Sequence, residues 1–110
     1  MFPFPQAGAL GHGNRNSLNH FTRVEALDGV EISKVACGKY HTFALSSEGS
    51  VFSWGEGEHG RLGLSGNADQ FSPVEIDQSS FLGEKVVDVF AGGYHGAAIT
   101  ETGKLFTWGR

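Results

Sequence analysis

One cysteine, Cys37, in 110 residues leaves no partner for an internal disulfide, so nothing ties the chain to an oxidising compartment. Positive charge is scarce too. Eight Lys and Arg stand against twelve Asp and Glu, for a formal charge of -4, and no basic cluster offsets that balance, which argues against direct contact with nucleic acid. No apolar run approaches the length of about 18 residues that a membrane span requires. The opening Met-Phe-Pro-Phe-Pro has neither the basic start nor the continuous apolar stretch of a secretory leader. A soluble, intracellular protein, cytoplasmic or nuclear and without membrane association, is expected. Proline occurs only three times, whereas glycine occurs 17 times. That glycine lacks the every-third-residue spacing of collagen, so it marks turns. The 39% apolar content is enough for a modest core.

What is present is a repeat. Shifted by 54 positions, residues 32–55 fall on 86–109 with nine identities: Val35, Gly38, Tyr40, His41, Ala44, Gly49, Phe52, Trp54 and Gly55 meet Val89, Gly92, Tyr94, His95, Ala98, Gly103, Phe106, Trp108 and Gly109. A period near 50 is a known length for stacked repeats. Upstream, Gly8-Ala9-Leu10-Gly11 matches Gly60-Arg61-Leu62-Gly63, and Phe21-Thr22-Arg23-Val24-Glu25 matches Phe71-Ser72-Pro73-Val74-Glu75. The second copy differs by a longer connection, as surface loops tolerate. Division at 1–55 and 56–110 gives one repeat each.

The periodicity within each copy is that of strands. Phe52 and Trp54 alternate with Val51 and Ser53, and Phe106 and Trp108 with Leu105 and Thr107, which puts both aromatics on one face. Gly49 and Gly103 sit in short polar segments where a hairpin demands positive φ. With further strands expected over 24–27, 34–37, 74–76 and 86–91, each copy holds about four short strands, the content of one propeller blade.

The run Val35-Ala-Cys-Gly-Lys-Tyr-His-Thr-Phe-Ala-Leu-Ser-Ser-Glu-Gly-Ser-Val-Phe-Ser-Trp-Gly55, followed by Gly60-Arg-Leu-Gly-Leu64 and Pro73-Val74, resembles the repeat of the regulator of chromosome condensation family. The resemblance covers the chain from Gly8 onward, with Phe2 in the slot of Trp54 and Trp108. It implies an all-β fold: two blades, each a four-stranded antiparallel sheet, of a propeller that has seven in family members. Two blades leave apolar flanks at both ends, so the expectation is a piece of a longer chain, or docking on further blades from itself or a partner.

Candidate chemistry is sparse. Gly55-Glu-Gly-Glu-His-Gly60 satisfies G-x-G-x-x-G, but no helix is expected to follow and Glu56 and Glu58 would repel a phosphate. These are read as loop glycines, with no cofactor. His41 and His95 recur in both copies, as a structural hydrogen-bonding element would and a catalytic residue would not. Gly38, Gly49, Trp54, Gly55, Gly92, Gly103, Trp108 and Gly109 are read as structural in the same way. His12, His20 and His59 lack metal-ligand spacing, so no metal is expected. No nucleophile, base and acid set is identifiable, and no enzyme is expected.

The leading expectation is a protein-interaction scaffold whose loops bind a protein partner. Two segments are candidates: 56–61, with Glu56, Glu58, His59 and Arg61, and 77–85, with Phe81, Leu82 and Lys85. Solvated turns are the alternative for both. The resemblance also permits guanine-nucleotide exchange on a small Ran-like GTPase, the activity of the founding family member. The family's plant photoreceptor carries Gly-Trp-Arg-His-Thr where this chain has Gly38-Lys-Tyr-His-Thr42 and Gly92-Gly-Tyr-His-Gly96; without the tryptophan, photoreception is set aside.

Overall fold

The computed structural model describes residues 9–13 and 22–110. The expected roles of Phe2, Gly8, His20 and Phe21 lie outside the described residues. Seven strands form two antiparallel sheets: β1 (Ile32–Cys37), β2 (His41–Ser46), β3 (Val51–Gly55) and β4 (Gln70–Glu75) in the first, β5 (Val86–Ala91), β6 (His95–Thr100) and β7 (Leu105–Gly109) in the second. Each sheet is ordered as the chain runs. The fold is a partial β-propeller.

The repeat survives as geometry. Ile32 faces Ser46, the register slips by one residue, and Lys34 then faces Leu45. Val86 faces Thr100 and Asp88 faces Ile99 with the same slip 54 residues later. Such a bulge tightens the local twist. The hairpins also agree: Gly49 N donates to Ser46 O and Gly103 N to Thr100 O, at φ of +91° and +89°, a region that glycine enters without steric cost.

Two expectations are corrected. Residues 24–27 do not form a strand; Glu25–Leu27 is a 3₁₀ turn, with Leu27 N bonded to Val24 O and Asp28 N to Glu25 O. The turn lies against the edge strand β4 without joining its ladder, and local bonds satisfy its backbone. The second sheet has three strands, not four. In the first sheet the fourth strand, β4, comes from the second copy and pairs along β3; among the described residues no strand pairs along the far edge of β7.

The core fills the space between the sheets. Phe43, Leu45 and Val51 from the first meet Val86, Val89 and Ala98 from the second, closed off by Ile76 and Phe81. Phe43 sets its ring edge-on to Trp108, at a centroid distance of 5.5 Å, and Phe81 does the same to Phe106 at 5.7 Å, a favoured aromatic geometry. The tryptophans also anchor the Gly-x-Leu-Gly connections: Trp54 Nε1 donates to Ala9 O at 2.7 Å and Trp108 Nε1 to Arg61 O at 3.0 Å. Ala9 and Arg61 are equivalent positions, so the same joint is made in each copy.

Candidate functional site

The antiparallel strands put successive connections at opposite ends of the sheets. Segment 56–61 follows β3 and joins the rim of the β1–β2 turn: Glu56 N donates to Tyr40 O. Segment 77–85 joins the other rim, where Val86 N bonds Gly49 O and the β6–β7 hairpin returns. The two candidate segments therefore do not form one surface.

At the first rim, Glu58 and His59 are exposed, whereas Arg61 is 2% exposed. The expectation of an accessible Arg61 is thus corrected. Its Nε donates to Glu58 O at 2.8 Å, and its guanidinium lies 5.0 Å from the centre of the Tyr94 ring, a stacking that its planar charge favours. Glu56 sits 2.8 Å from one terminal nitrogen, but off the line of a hydrogen bond, so that buried nitrogen keeps an ion pair without an aligned acceptor. Arg110 lies on Tyr94 as well, 6.0 Å from the ring centre, and reaches 3.5 Å from His59 Nε2. Sequence reading missed Tyr94 and Arg110 as rim residues, although the recurrence of Tyr40 as Tyr94 was a usable signal.

The loop amides there are engaged inward. Gly57 N donates to the Asp69 carboxylate at 2.9 Å, and a Cβ on Gly57 would stand 2.2 Å from Ala68 O. A 3₁₀ turn, Glu58–Gly60, follows.

At the second rim, Leu82 is 67% exposed and Phe81 is 1% exposed. Phe81 is a core residue, against the expectation of a contact surface, because the 3₁₀ turn Gln78–Phe81 folds its ring onto Phe106 and Trp108. Lys85 lies over Gly49, whose Cβ would be 2.8 Å from it. Lys104 Nζ and Thr102 Oγ1 both bond the Glu84 carboxylate; these hydrogen bonds, that of Lys104 first, lower its pKa to about 2. The two non-glycine residues at positive φ among the described residues are His59 (64°) and Leu82 (59°), one on each rim.

At the first-rim end of β2 lies a structural clasp. His41, 1% exposed, reaches across to the second sheet, where its Nε2 stands 3.0 Å from His95 O. A carbonyl only accepts, so Nε2 carries the proton and Nδ1, which has no partner, is the bare nitrogen. A Cβ on Gly38 would stand 2.2 Å from the ring. Burial is the main cause that lowers the pKa of His41 from its ordinary 6.5, outweighing the hydrogen bond to His95, which raises it; the charge of Arg61 lowers it further. The folded state thus takes up the proton less readily than the unfolded chain. Stability is full above pH 6.5 and falls as pH drops from there through the folded value. Denaturant titrations at a series of pH values should show this slope in the wild type and lose it in His41→Gln. The Glu84 contribution falls in a separate window, between its ordinary 4.5 and about 2.

Comparison with known proteins places this arrangement. Residues 6–45 and 48–99 match the Regulator of chromosome condensation (RCC1) repeat, and a second description of that repeat matches 32–61. The chain is 42% identical to the ultraviolet-B receptor UVR8 of Arabidopsis thaliana over 102 residues, which are 93% of this chain and 23% of the receptor. It is 46% identical to the human E3 ubiquitin-protein ligase HERC2 over 105 residues, 94% of this chain and 2% of that protein. The crystal structure of human WBSCR16 superposes with a TM-score of 0.79 at 29% identity, over 96% of this chain and 27% of that one. Prp20p from Saccharomyces cerevisiae, whose structure was described with its binding properties to Gsp1p and histones, superposes with a TM-score of 0.78 at 26% identity, over 96% and 28%. The chain spans at most about a quarter of the length of these curated relatives.

Proposed function

The chain belongs to the regulator of chromosome condensation repeat family, and from that premise we propose that it is a protein-interaction module that binds its partner through the first rim. Supporting this reading, above all, is the cluster of exposed His59, Tyr94 and Arg110 set on a rigid base by the buried Arg61. Tyrosine and arginine are the side chains that most often dominate protein interfaces. His59 holds a left-handed backbone, which costs about 1–3 kcal/mol in a non-glycine residue and tends to occur where a loop conformation serves binding. The second rim offers a lone Leu82 beside a self-satisfied ion pair, a poorer anchor. An intracellular setting fits this proposal. The triple variant His59→Ala, Tyr94→Ala, Arg110→Ala should weaken partner binding by at least about tenfold, a loss near 1.4 kcal/mol. Affinity capture followed by titration of the recovered partner measures it; undiminished binding removes the first rim.

Exchange of guanine nucleotide on a Ran-like small GTPase is the second reading, supported by the likeness to Prp20p. A nucleotide-release assay tests it, and release at the unassisted rate for a panel of GTPases removes it.

A further inference from the structure

One nitrogen on the first rim stands between two neighbours of opposite charge. His59 Nε2 lies 3.5 Å from Arg110 Nη1 and 3.6 Å from the Glu58 carboxylate. A guanidinium only donates and an ionised carboxylate only accepts. With the ring neutral, a bare Nε2 accepts from Arg110. With the ring protonated, the same nitrogen carries a hydrogen, faces a second cation at that distance and has the carboxylate as its acceptor. The two states of the ring therefore select opposite neighbours.

Which groups move follows from how each is held. The turn that carries Glu58 and His59 is fixed from within: Gly60 N donates to Gly57 O, Gly57 N donates to the Asp69 carboxylate, and the buried Arg61 holds Glu58 O at 2.8 Å. The backbone of Arg110 is fixed too, its N bonded to Tyr94 O just as Glu56 N, 54 positions earlier, is bonded to Tyr40 O. That leaves the exposed side chains of Arg110 and Glu58 to move. The other charges of the rim are engaged elsewhere. Arg61 faces Glu56 at 2.8 Å, Asp69 accepts from Gly57, and Lys39 lies 5.5 Å from the centre of the Tyr40 ring. Among the described residues, the Glu58 carboxylate has His59 as its one ion-pair partner.

We propose that His59 is a proton-operated switch of the first rim: neutral, it holds Arg110 over Tyr94 in the arrangement that receives a partner; protonated, it expels Arg110 and takes Glu58 instead. Histidine changes charge between about pH 5 and 8, so the rim is assembled at neutral pH and dispersed in mild acid. This rests on the first rim being the partner surface, and adds that binding there weakens as pH falls. A unit charge at such a separation in water corresponds to about a fivefold change in affinity.

Side-chain NMR of the full chain without any partner, from about pH 8 to about pH 5, tests the switch, with circular dichroism following the fold throughout. The Arg110 Nε and Tyr94 ring signals should shift together, at the midpoint of the His59 ring. Both shifts should vanish in His59→Asn, since asparagine tolerates the left-handed backbone and does not titrate; whatever His41 and His95 contribute remains in that variant. The protein recovered by affinity capture, titrated at both ends of the range, should bind the wild type about fivefold more weakly in acid and His59→Asn equally at both. Arg110 and Tyr94 signals that stay still while His59 titrates, or that move alike in the variant, would overturn the proposal, and so would a wild-type affinity that is flat with pH. The triple variant keeps the two readings apart. If it binds undiminished, the first rim is not the partner surface; binding lost there but flat with pH in the wild type removes the switch alone.

Discussion

Phe43→Ala should lower the stability of the chain by about 3–5 kcal/mol, the usual loss for removing a buried aromatic ring. Phe43 is 0% exposed and is the joint between the sheets: its ring meets His41 at 5.3 Å and Trp108 at 5.5 Å between centroids, and it covers Gly96. Glycine has no side chain with which to refill the space, so the cavity stays open and the loss falls at the upper end of the range. Small domains have about 5–15 kcal/mol in total, and a two-sheet array sits low in that range. The variant should therefore be largely unfolded at physiological temperature. Thermal unfolding followed by circular dichroism and by tryptophan fluorescence measures this. A melting temperature close to that of the wild type would mean that the sheets are not packed face to face through this residue.

The sheets themselves are readable in the residues, because strand alternation and hairpin glycines are local signals that depend on no neighbour. Val86–Ala91 is expected as a strand and is one. The environments of equivalent residues are not readable. His41 is buried and His95 exposed, and Trp54 is buried while Trp108 is half-buried, although their local sequences are nearly the same. What differs is the element stacked beside them, and a repeat cannot encode its own place in an array. Arg61 reads as surface because charged residues are seldom buried. Its counterpart is Ala9, and the extra length tucks beneath Tyr94, a contact that needs β6 alongside. Phe81 follows the opposite logic: an aromatic in a polar connection is a signal for burial, and the connection folds to bury it. The separation of the two candidate segments also follows from the strand count alone. Segment 56–61 leaves the end of β3 and segment 77–85 the end of β4, and antiparallel neighbours end on opposite rims.

The place of Gly96 in the joint leads to the second large effect. In a strand, alanine is ordinarily no worse than glycine, since glycine loses more freedom on folding. Here a Cβ would lie 2.6 Å from Phe43 Cζ and 2.6 Å from Trp108 Cε2, and both rings are held on other sides. Gly96→Ala should therefore destabilise by about 1–3 kcal/mol, the range for overpacking. The decisive measurement is the double-mutant cycle. If Phe43 and Gly96 are fitted to each other across the sheets, Phe43→Ala supplies the room that the methyl group added by Gly96→Ala lacks. The double variant should then be more stable than the sum of the two losses implies, by about 0.5–3 kcal/mol, as contacting residues show. Trp108 remains in place, so the recovery is partial. Strict additivity would mean that Gly96 is required by Trp108 alone.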